Sequence, residues 1–375
     1  MGTERTFPKG LTSASPRERC EYFRRIAIAH PVLVETDRAL KRALTQSRPG
    51  SIVIVLGPAG VGKTTVLEHA ENWMMERELA AMSAALGKVP VIRIEAVSDG
   101  LVQFSWRDFY RRTLIALDEP LVSRKLDPRS LQGIQQEGVR RFARRHASSG
   151  DLRYALELAY RHRQVEACLI DEAHHLAKVA SGRRLLDQMD TIKSLANLTG
   201  VTHVLVGSYS LLDLANLSGQ LSRRSTLIHF RRYRGDNVAD VQAFKRAVFS
   251  FQRQLPLADE PDLLASFEYL MIHSAGCVGN LKDWLTRALE EAVSEGESLG
   301  LEHLERTALS LPQCRSISSE AADGERRMIP DESALEALAG LCGVTPASRE
   351  RKPSTKSTSS RRPGSRNPNR DPVGT

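Results

Sequence analysis

Cysteine is scarce and scattered. The five are Cys20, Cys168, Cys277, Cys314 and Cys342, and no two lie close together. That excludes a C-x-x-C motif and any zinc pattern built on cysteine, and it fits reduced thiols. Long apolar runs are missing too. None approaches the roughly 18 residues that a membrane span needs. Met1–Gly10 is polar and lacks the apolar core of a signal peptide. The expectation is a cytoplasmic protein with no membrane partner. The body also lacks a strong charge bias. Net charge is +8, but Thr345–Thr375 holds eight Lys/Arg against Glu350 and Asp371, which leaves the rest at only about +2. The pI of the whole chain therefore does not describe a basic folded surface. Any nucleic-acid site on the body must come from local clusters.

What is present begins at Ser51-Ile-Val-Ile-Val-Leu-Gly-Pro-Ala-Gly-Val-Gly-Lys-Thr-Thr65. A short apolar strand runs into Gly57, and Gly57–Thr64 satisfies G-x-x-x-x-G-K-[ST] in full. A phosphate chain must lie against backbone N–H groups, so the turn has to be rich in glycine. Gly57, Gly60 and Gly62 permit positive φ and close approach. Gly57, Pro58, Ala59, Gly60, Val61, Gly62, Lys63, Thr64 and Thr65 form the expected nucleotide cradle. The helix that follows aims its N-terminal N–H groups at the phosphates. Lys63 is expected on the β- and γ-phosphates and Thr64 on Mg²⁺, so ATP and Mg²⁺ are the expected cofactors.

A second apolar run, Val165–Ile170, ends in Asp171-Glu172-Ala173-His174-His175. In a P-loop protein this strand must offer an acid to the metal, which assigns Asp171 to Mg²⁺ and Glu172 to the attacking water. His174 and His175 hint at metal, but the sequence offers no third ligand near them. The strand Val201–Ser208 ends in a polar residue, and Ser208, with Tyr209 second, is the expected γ-phosphate sensor. Arg223 and Arg224 precede a fifth apolar strand, where an arginine can reach a nucleotide held by the next subunit.

Around these motifs the periodicity predicts helices over Pro16–Ala29, stopped by Pro31, and over Thr36–Leu44. The P-loop helix covers Lys63–Met82, and a second strand covers Val89–Ala96. Ser105 opens a helix through Leu117. A basic helix over 128–148, closed by Ser148-Ser-Gly150, and a short helix over 151–163 read as insertions. Helices over Ala243–Gln254, Asp262–His273 and Leu281–Val293 form a lid. Periodicity fades after Pro312, apart from a short helix at Ala334–Leu341. From Thr345 the chain is Ser-, Pro-, Arg- and Lys-rich and expected to be disordered. The expected division is an N-terminal helical arm (1–48), an α/β nucleotide-binding core (49–234), a helical lid (235–312), an extension (313–344) and a basic tail (345–375).

P-loop, Walker B acids, polar strand-four end, arginine before strand five and helical lid follow in the order of the AAA+ ATPases. The order resembles that family over about residues 35–310. A narrower likeness is carried by Phe104-Ser-Trp-Arg-Asp-Phe-Tyr110, Asp171-Glu-Ala-His-His175, Asp190-Thr-Ile-Lys-Ser-Leu-Ala-Asn197, Leu205-Val-Gly-Ser-Tyr209 and Gly219-Gln-Leu-Ser-Arg-Arg-Ser225. These segments resemble the TnsC/TniB regulators of DNA transposition. The resemblance implies a three-layer parallel-sheet P-loop NTPase with a C-terminal helical lid. It implies homo-oligomers, ring or filament, on double-stranded DNA. It also implies a TniQ/TnsD-like target selector, a TnsB-like transposase, and ATP hydrolysis that controls disassembly. One departure is visible. Where many AAA+ lids carry an arginine, Asn280 is nearest and Lys282 lies two positions on, so a slow switch is expected in place of a fast motor.

DNA contacts are expected from Arg93, Arg107, Arg111, Arg112, Arg140, Arg141, Arg144 and Arg145, as phosphate contacts without sequence reading. A replication initiator or loader is the alternative within the same fold. A signalling or secretion ATPase with protein partners only is the alternative outside nucleic-acid work. Asn280-Leu-Lys-Asp283 misses the guanine-reading N-K-x-D at its second position, which argues against GTP.

Overall fold

The computed structural model describes residues 5–97, 104–128, 146–176, 183–216, 225–329 and 332–344. At the N-terminus, α1 (Pro16–Arg25) is opened by a capping box between Ser15 and Glu18. Pro31 does not stop that helix, which ends earlier. It starts α2 (Pro31–Gln46), because a proline at the first helical position gives up an N–H that has no intrahelical partner anyway.

The core is a five-stranded sheet of β1 (Ile52–Leu56), β2 (Val91–Glu95), β3 (Ala167–Asp171), β4 (Thr202–Gly207) and β5 (Ser225–His229). Its order is β2-β3-β4-β1-β5, and every pair is parallel. Side chains alternate along a strand, so the sheet has two buried faces. Val53, Val55, Leu169, Val204 and Val206 share one apolar cluster with Leu33 and Leu40 of α2 and with Leu67, Ala70 and Met74 of α3 (Lys63–Ala84). On the other face, the His203 and Tyr160 rings meet at 6.1 Å. Tyr160 belongs to α5 (Ser149–His162), which packs on α4 (Trp106–Ala116) and α6 (Arg183–Thr199). Three layers result, as expected. Register carries the site: Leu56 lies opposite Gly207 on one side and His229 on the other, so the carboxyl ends of three strands stand level.

One local expectation changes in the insertion. Ser148 caps α5 in a reciprocal box with Asp151, and Ser149 and Gly150 lie inside that helix. A carboxylate placed three residues after a serine makes that stretch a helix start. Most of the expected 128–148 helix lies outside the described residues.

After α7 (Leu211–Asn216), the C-terminal part holds α8 (Val238–Gln254), α9 (Phe267–His273), α10 (Val278–Glu295) and α11 (Leu301–Thr307). Val278, Leu281, Leu285, Ala288, Leu289 and Ala292 recur at helical spacing and bury one face of α10. Periodicity does not fade after Pro312. Leu311–Met328 is an 18-residue helix, α12, with Cys314, Ala321, Gly324 and Glu325 buried. Its apolar signal is weak because its inner face holds a glycine and an acid in place of large aliphatics. Met1–Arg327 forms one compact unit. The second, Met328–Thr375, contains α13 (Glu332–Leu341). No helix among the described residues is long and apolar enough to cross a membrane.

His203 is fully buried in β4, and burial pushes its pKa down from 6.5 to about 4. Between those values the unfolded chain takes up a proton that the folded state refuses. Stability therefore rises with pH across that window and levels off above it. At pH 5 this one imidazole costs about 2 kcal/mol. His203→Leu should reduce the loss of stability between pH 7 and pH 5 by about that amount. Urea midpoints measured at both pH values would show it, and an unchanged difference would refute it.

Candidate functional site

The site forms at the carboxyl ends of β1, β3 and β4, neighbours in the sheet. Gly57 leaves β1 so close to β5 that a Cβ there would lie 2.2 Å from the Phe230 carbonyl oxygen. Close approach, not a positive φ, requires glycine at that position. Gly60 and Gly62 do take left-handed values, φ +73° and +108°, and Gly62 caps α3. The turn leaves the first N–H groups of α3 pointing into the loop, as an anion site requires.

Lys63 folds back over this turn. Its Nζ donates to the carbonyls of Gly57, 3.1 Å, and Pro58, 2.9 Å. Burial lowers its pKa, while nearby Glu172, Cys277 and Asp171 act in the opposite direction. Thr64 Oγ1 donates to Asp171 Oδ2 at 2.9 Å. That contact joins the two motifs across β4, which separates their strands. The other Asp171 oxygen, Oδ1, accepts from the Glu172 amide at 2.9 Å. A hydroxyl and a buried carboxylate in contact are a hard-oxygen pair suited to Mg²⁺, and the rest of its shell is left to water and phosphate.

Glu172 adopts φ +49°, rare for a residue with a side chain. Its Oε2 lies 2.9 Å from His174 Nδ1. The expectation that no third ligand is near the histidines fails here. Glu172, His174 and His175 bring one ligand atom each within 4.8 Å of one another. The signal was the run D-E-x-H-H itself, in which Glu172 had been assigned to water alone.

Ser208 follows β4 and its Oγ lies 3.0 Å from Ser210 Oγ. Tyr209 is buried, with its hydroxyl 2.8 Å from His229 Nε2. Its phenol pKa is raised by burial. Gly324 of α12 sits against the Tyr209 ring, where a Cβ would come within 2.0 Å. Sequence reasoning missed this neighbour because it missed the helix.

The lid reaches the loop through the start of α10. The Asn280 amide donates to the Gly60 carbonyl at 2.9 Å, and its side chain donates to the Ala59 carbonyl at 3.4 Å. Lys282 points elsewhere: its Nζ donates to the carbonyls of Arg24, at 3.0 Å, and Ile26, tying the lid to the N-terminal arm. Of the two, Asn280 and not Lys282 lies against the loop.

Arg223, Arg224, Arg140, Arg141, Arg144 and Arg145 lie outside the described residues. The remaining arginine candidates are engaged or local. Arg93 pairs with Glu71, 2.9 Å, and Glu68, 3.3 Å. Arg111 and Arg112 both pair with Asp108, at 3.1 and 2.5 Å. Arg107 and Arg111 line a shallow cavity of about 310 Å³ with Ser105 and Asp108.

Comparison with known proteins agrees with this geometry. Residues 46–215 match the family model described as an AAA domain. Among solved structures, the chain is similar to the ORC1 protein of Aeropyrum pernix in complex with DNA, with 16% identity, coverage of 84% of this chain and 72% of that one, and a TM-score of 0.50. It is also similar to a Walker-type ATPase of Pyrococcus abyssi, with 18% identity, 84% and 85% coverage, and a TM-score of 0.43. Domain III of the Thermotoga maritima replication initiation protein DnaA gives 13% identity, 80% and 97% coverage, and a TM-score of 0.43. No curated protein sequence matches. At 16% identity, what the chain shares with the Aeropyrum pernix protein is the fold. The fold is that of an AAA+ P-loop NTPase, with a parallel five-stranded sheet and a helical C-terminal region. Within it, this chain carries an AAA domain over 46–215.

A Cβ on Gly279 would lie 2.4 Å from the Gly60 carbonyl oxygen. Alanine is the better helix former by about 0.5–1 kcal/mol, but the clash is with backbone and cannot be relieved by a rotamer. Gly279→Ala should therefore lift the first turn of α10 from the loop and destabilise by about 1–3 kcal/mol. Faster amide exchange at 278–281 and weaker binding of a fluorescent ATP analogue would register it. Unchanged exchange would show that the contact does not hold the lid.

Proposed function

We propose that the protein is an ATP-dependent regulator of DNA transposition of the TnsC/TniB kind. In this reading it assembles on duplex DNA in the ATP state and links a TniQ/TnsD-like target selector to a TnsB-like transposase. It leaves DNA when ATP is hydrolysed. The observation that carries the enzymatic part is the 2.9 Å contact from Thr64 to Asp171, which makes one site of the two motifs. The transposition part rests on the coincident sequence segments, Asp171-Glu-Ala-His-His175 among them. ORC1 of Aeropyrum pernix, whose fold this chain shares, was solved with DNA, which supports DNA as a partner.

Residue by residue, Gly57–Thr65 grips phosphate, Thr64 and Asp171 hold Mg²⁺, and Glu172 accepts a proton from the attacking water. Mg²⁺, when bound, neutralises charge on the phosphates. Ser208 senses the γ-phosphate, and Arg223 or Arg224 enters a neighbour's site. The proposed divisions are arm (1–48), core (49–234), lid (235–312), extension (313–344) and basic tail (345–375), in a cytoplasmic protein. Helix Leu311–Met328 runs across the lid–extension boundary. Arg93, Arg107, Arg111 and Arg112, with the 140–145 arginines, contact phosphates only.

A replication initiator is the second reading, favoured by the same ORC1 likeness. It requires binding at a defined sequence, and a footprint confined to one site would select it.

Electron microscopy with ATP, with and without duplex DNA, tests the proposal. Ordered assemblies should form only with both, and they should dissolve as salt rises. Particles that stay monomeric with both would refute it. Lys63→Ala should abolish nucleotide-dependent assembly. Glu172→Gln should still assemble, while ATP turnover falls by about 10²–10⁴-fold. Turnover at the wild-type rate would remove Glu172 from its role.

A further inference from the structure

The run that ends β3 folds back on itself. Glu172 takes φ +49°, Ala173–Leu176 forms a 3₁₀ turn, and the His175 amide donates to the Glu172 carbonyl at 3.0 Å. This puts one carboxylate and two imidazoles on one side of the turn. Glu172 Oε2 and His174 Nδ1 are 2.9 Å apart, and the two rings lie 4.4 Å apart between centroids. All three residues are half-buried. Nδ1 of His175 is shielded from solvent and has no hydrogen-bond partner, which leaves a ring nitrogen without compensation.

Two imidazoles and a carboxylate are the protein donor set of an open zinc site, whose fourth position goes to water. Tetrahedral ligands about 2.0–2.2 Å from a zinc ion stand roughly 3.3 Å from one another. The three ligand atoms already lie within 4.8 Å, so small rotamer changes close the site. Imidazole selects zinc-class ions over Mg²⁺, and the oxygen pair of Thr64 and Asp171 selects the reverse. Two metals of different hardness therefore do not compete for one place. The other His-acid group, Glu295, Glu297 and His303, differs in that Arg306 already holds Glu295 at 2.8 Å.

We infer that Glu172, His174 and His175 form a zinc-class metal site, and that filling it takes the Glu172 carboxylate out of ATP hydrolysis. The regulatory half rests on the proposed role of Glu172 as the residue that activates water. Coordination uses the lone pair that would otherwise accept the water proton, so an occupied site holds ATP without turning it over.

The test uses the full chain in excess Mg²⁺, titrated with Zn²⁺ by calorimetry and metal analysis, with ATP turnover followed in parallel. Wild type should bind one Zn²⁺ per chain, and turnover should fall as the site fills. His174→Ala and His175→Ala should each weaken Zn²⁺ binding by about tenfold or more. Each should also resist inhibition relative to its own zinc-free rate. Circular dichroism and binding of an ATP analogue verify that the variants fold. No stoichiometric binding, or binding that both variants retain, overturns the site. Binding lost in both variants while turnover ignores zinc overturns the link to hydrolysis. If Glu172→Gln also turns over normally, that failure belongs to the proposed role of Glu172 and not to the metal site.

Discussion

The structure depends on a register constraint. β4 stands between the strand that launches the P-loop and the strand that carries Asp171; β1 and β4 end level at Leu56 and Gly207, and β3 ends within a residue of them. Only because Leu56 and Gly207 are paired can Thr64 reach Asp171 at 2.9 Å. A parallel strand slipped by one residue would turn its buried side chains to the opposite face. In this sheet both faces are packed, so such a slip is resisted from each side. The same packing that fills the core therefore fixes the distance between the P-loop and Asp171.

The charges at this junction are arranged to wait. Lys63 is half-buried, and desolvation lowers its pKa; its ammonium is satisfied by loop carbonyls rather than by a carboxylate. A carbonyl pair can be exchanged for phosphate oxygens without stranding an opposite charge. A tight ion pair could not be exchanged so easily. The lid is coupled to this exchange through Asn280, whose main chain and side chain both bond the loop. Lys282, two residues on, anchors the same helix to the N-terminal arm. Loop, lid and arm are thus one connected set, and phosphate arriving at the loop meets all three.

The sheet and the P-loop were legible because their signals are local. An Ile/Val run before G-x-x-x-x-G-K-T and an apolar run before Asp-Glu each state an element and its end. Helix ends were less legible where one residue type serves two roles. Pro31 was expected to stop a helix and instead starts one, and Ser148 was expected to close a helix and caps the next. Helix α12 was illegible for a different reason. Its burial is of Gly324 against the Tyr209 ring and of Glu325 against Arg232 at 2.9 Å, contacts that hydrophobic periodicity does not score. The meeting of Glu172 with His174 was in plain view as sequence. It became informative only when the left-handed turn at Glu172 set the three side chains together.

What the described residues contribute to the candidate site is one-sided. Under the proposed function, loop, hydroxyl and two acids handle phosphate, metal and water, and the charge that develops on a transferring phosphoryl group calls for an arginine as well. The described arginines that follow β5 are already committed. Arg231 grips Asp240 through two bonds of 2.6 and 2.9 Å, Arg232 pairs with Glu325, and Arg234 pairs with Asp236. Asp240 and Glu325 are buried, so withdrawing Arg231 or Arg232 would leave an uncompensated carboxylate, a cost of several kcal/mol. Neither of those two is free to swing to a phosphate. Under the proposed assembly, the missing cation comes from a neighbour, and hydrolysis becomes a property of the interface instead of the subunit. That arrangement makes nucleotide state and assembly a single equilibrium, because the residue that completes the site is also the one that reports the neighbour's presence.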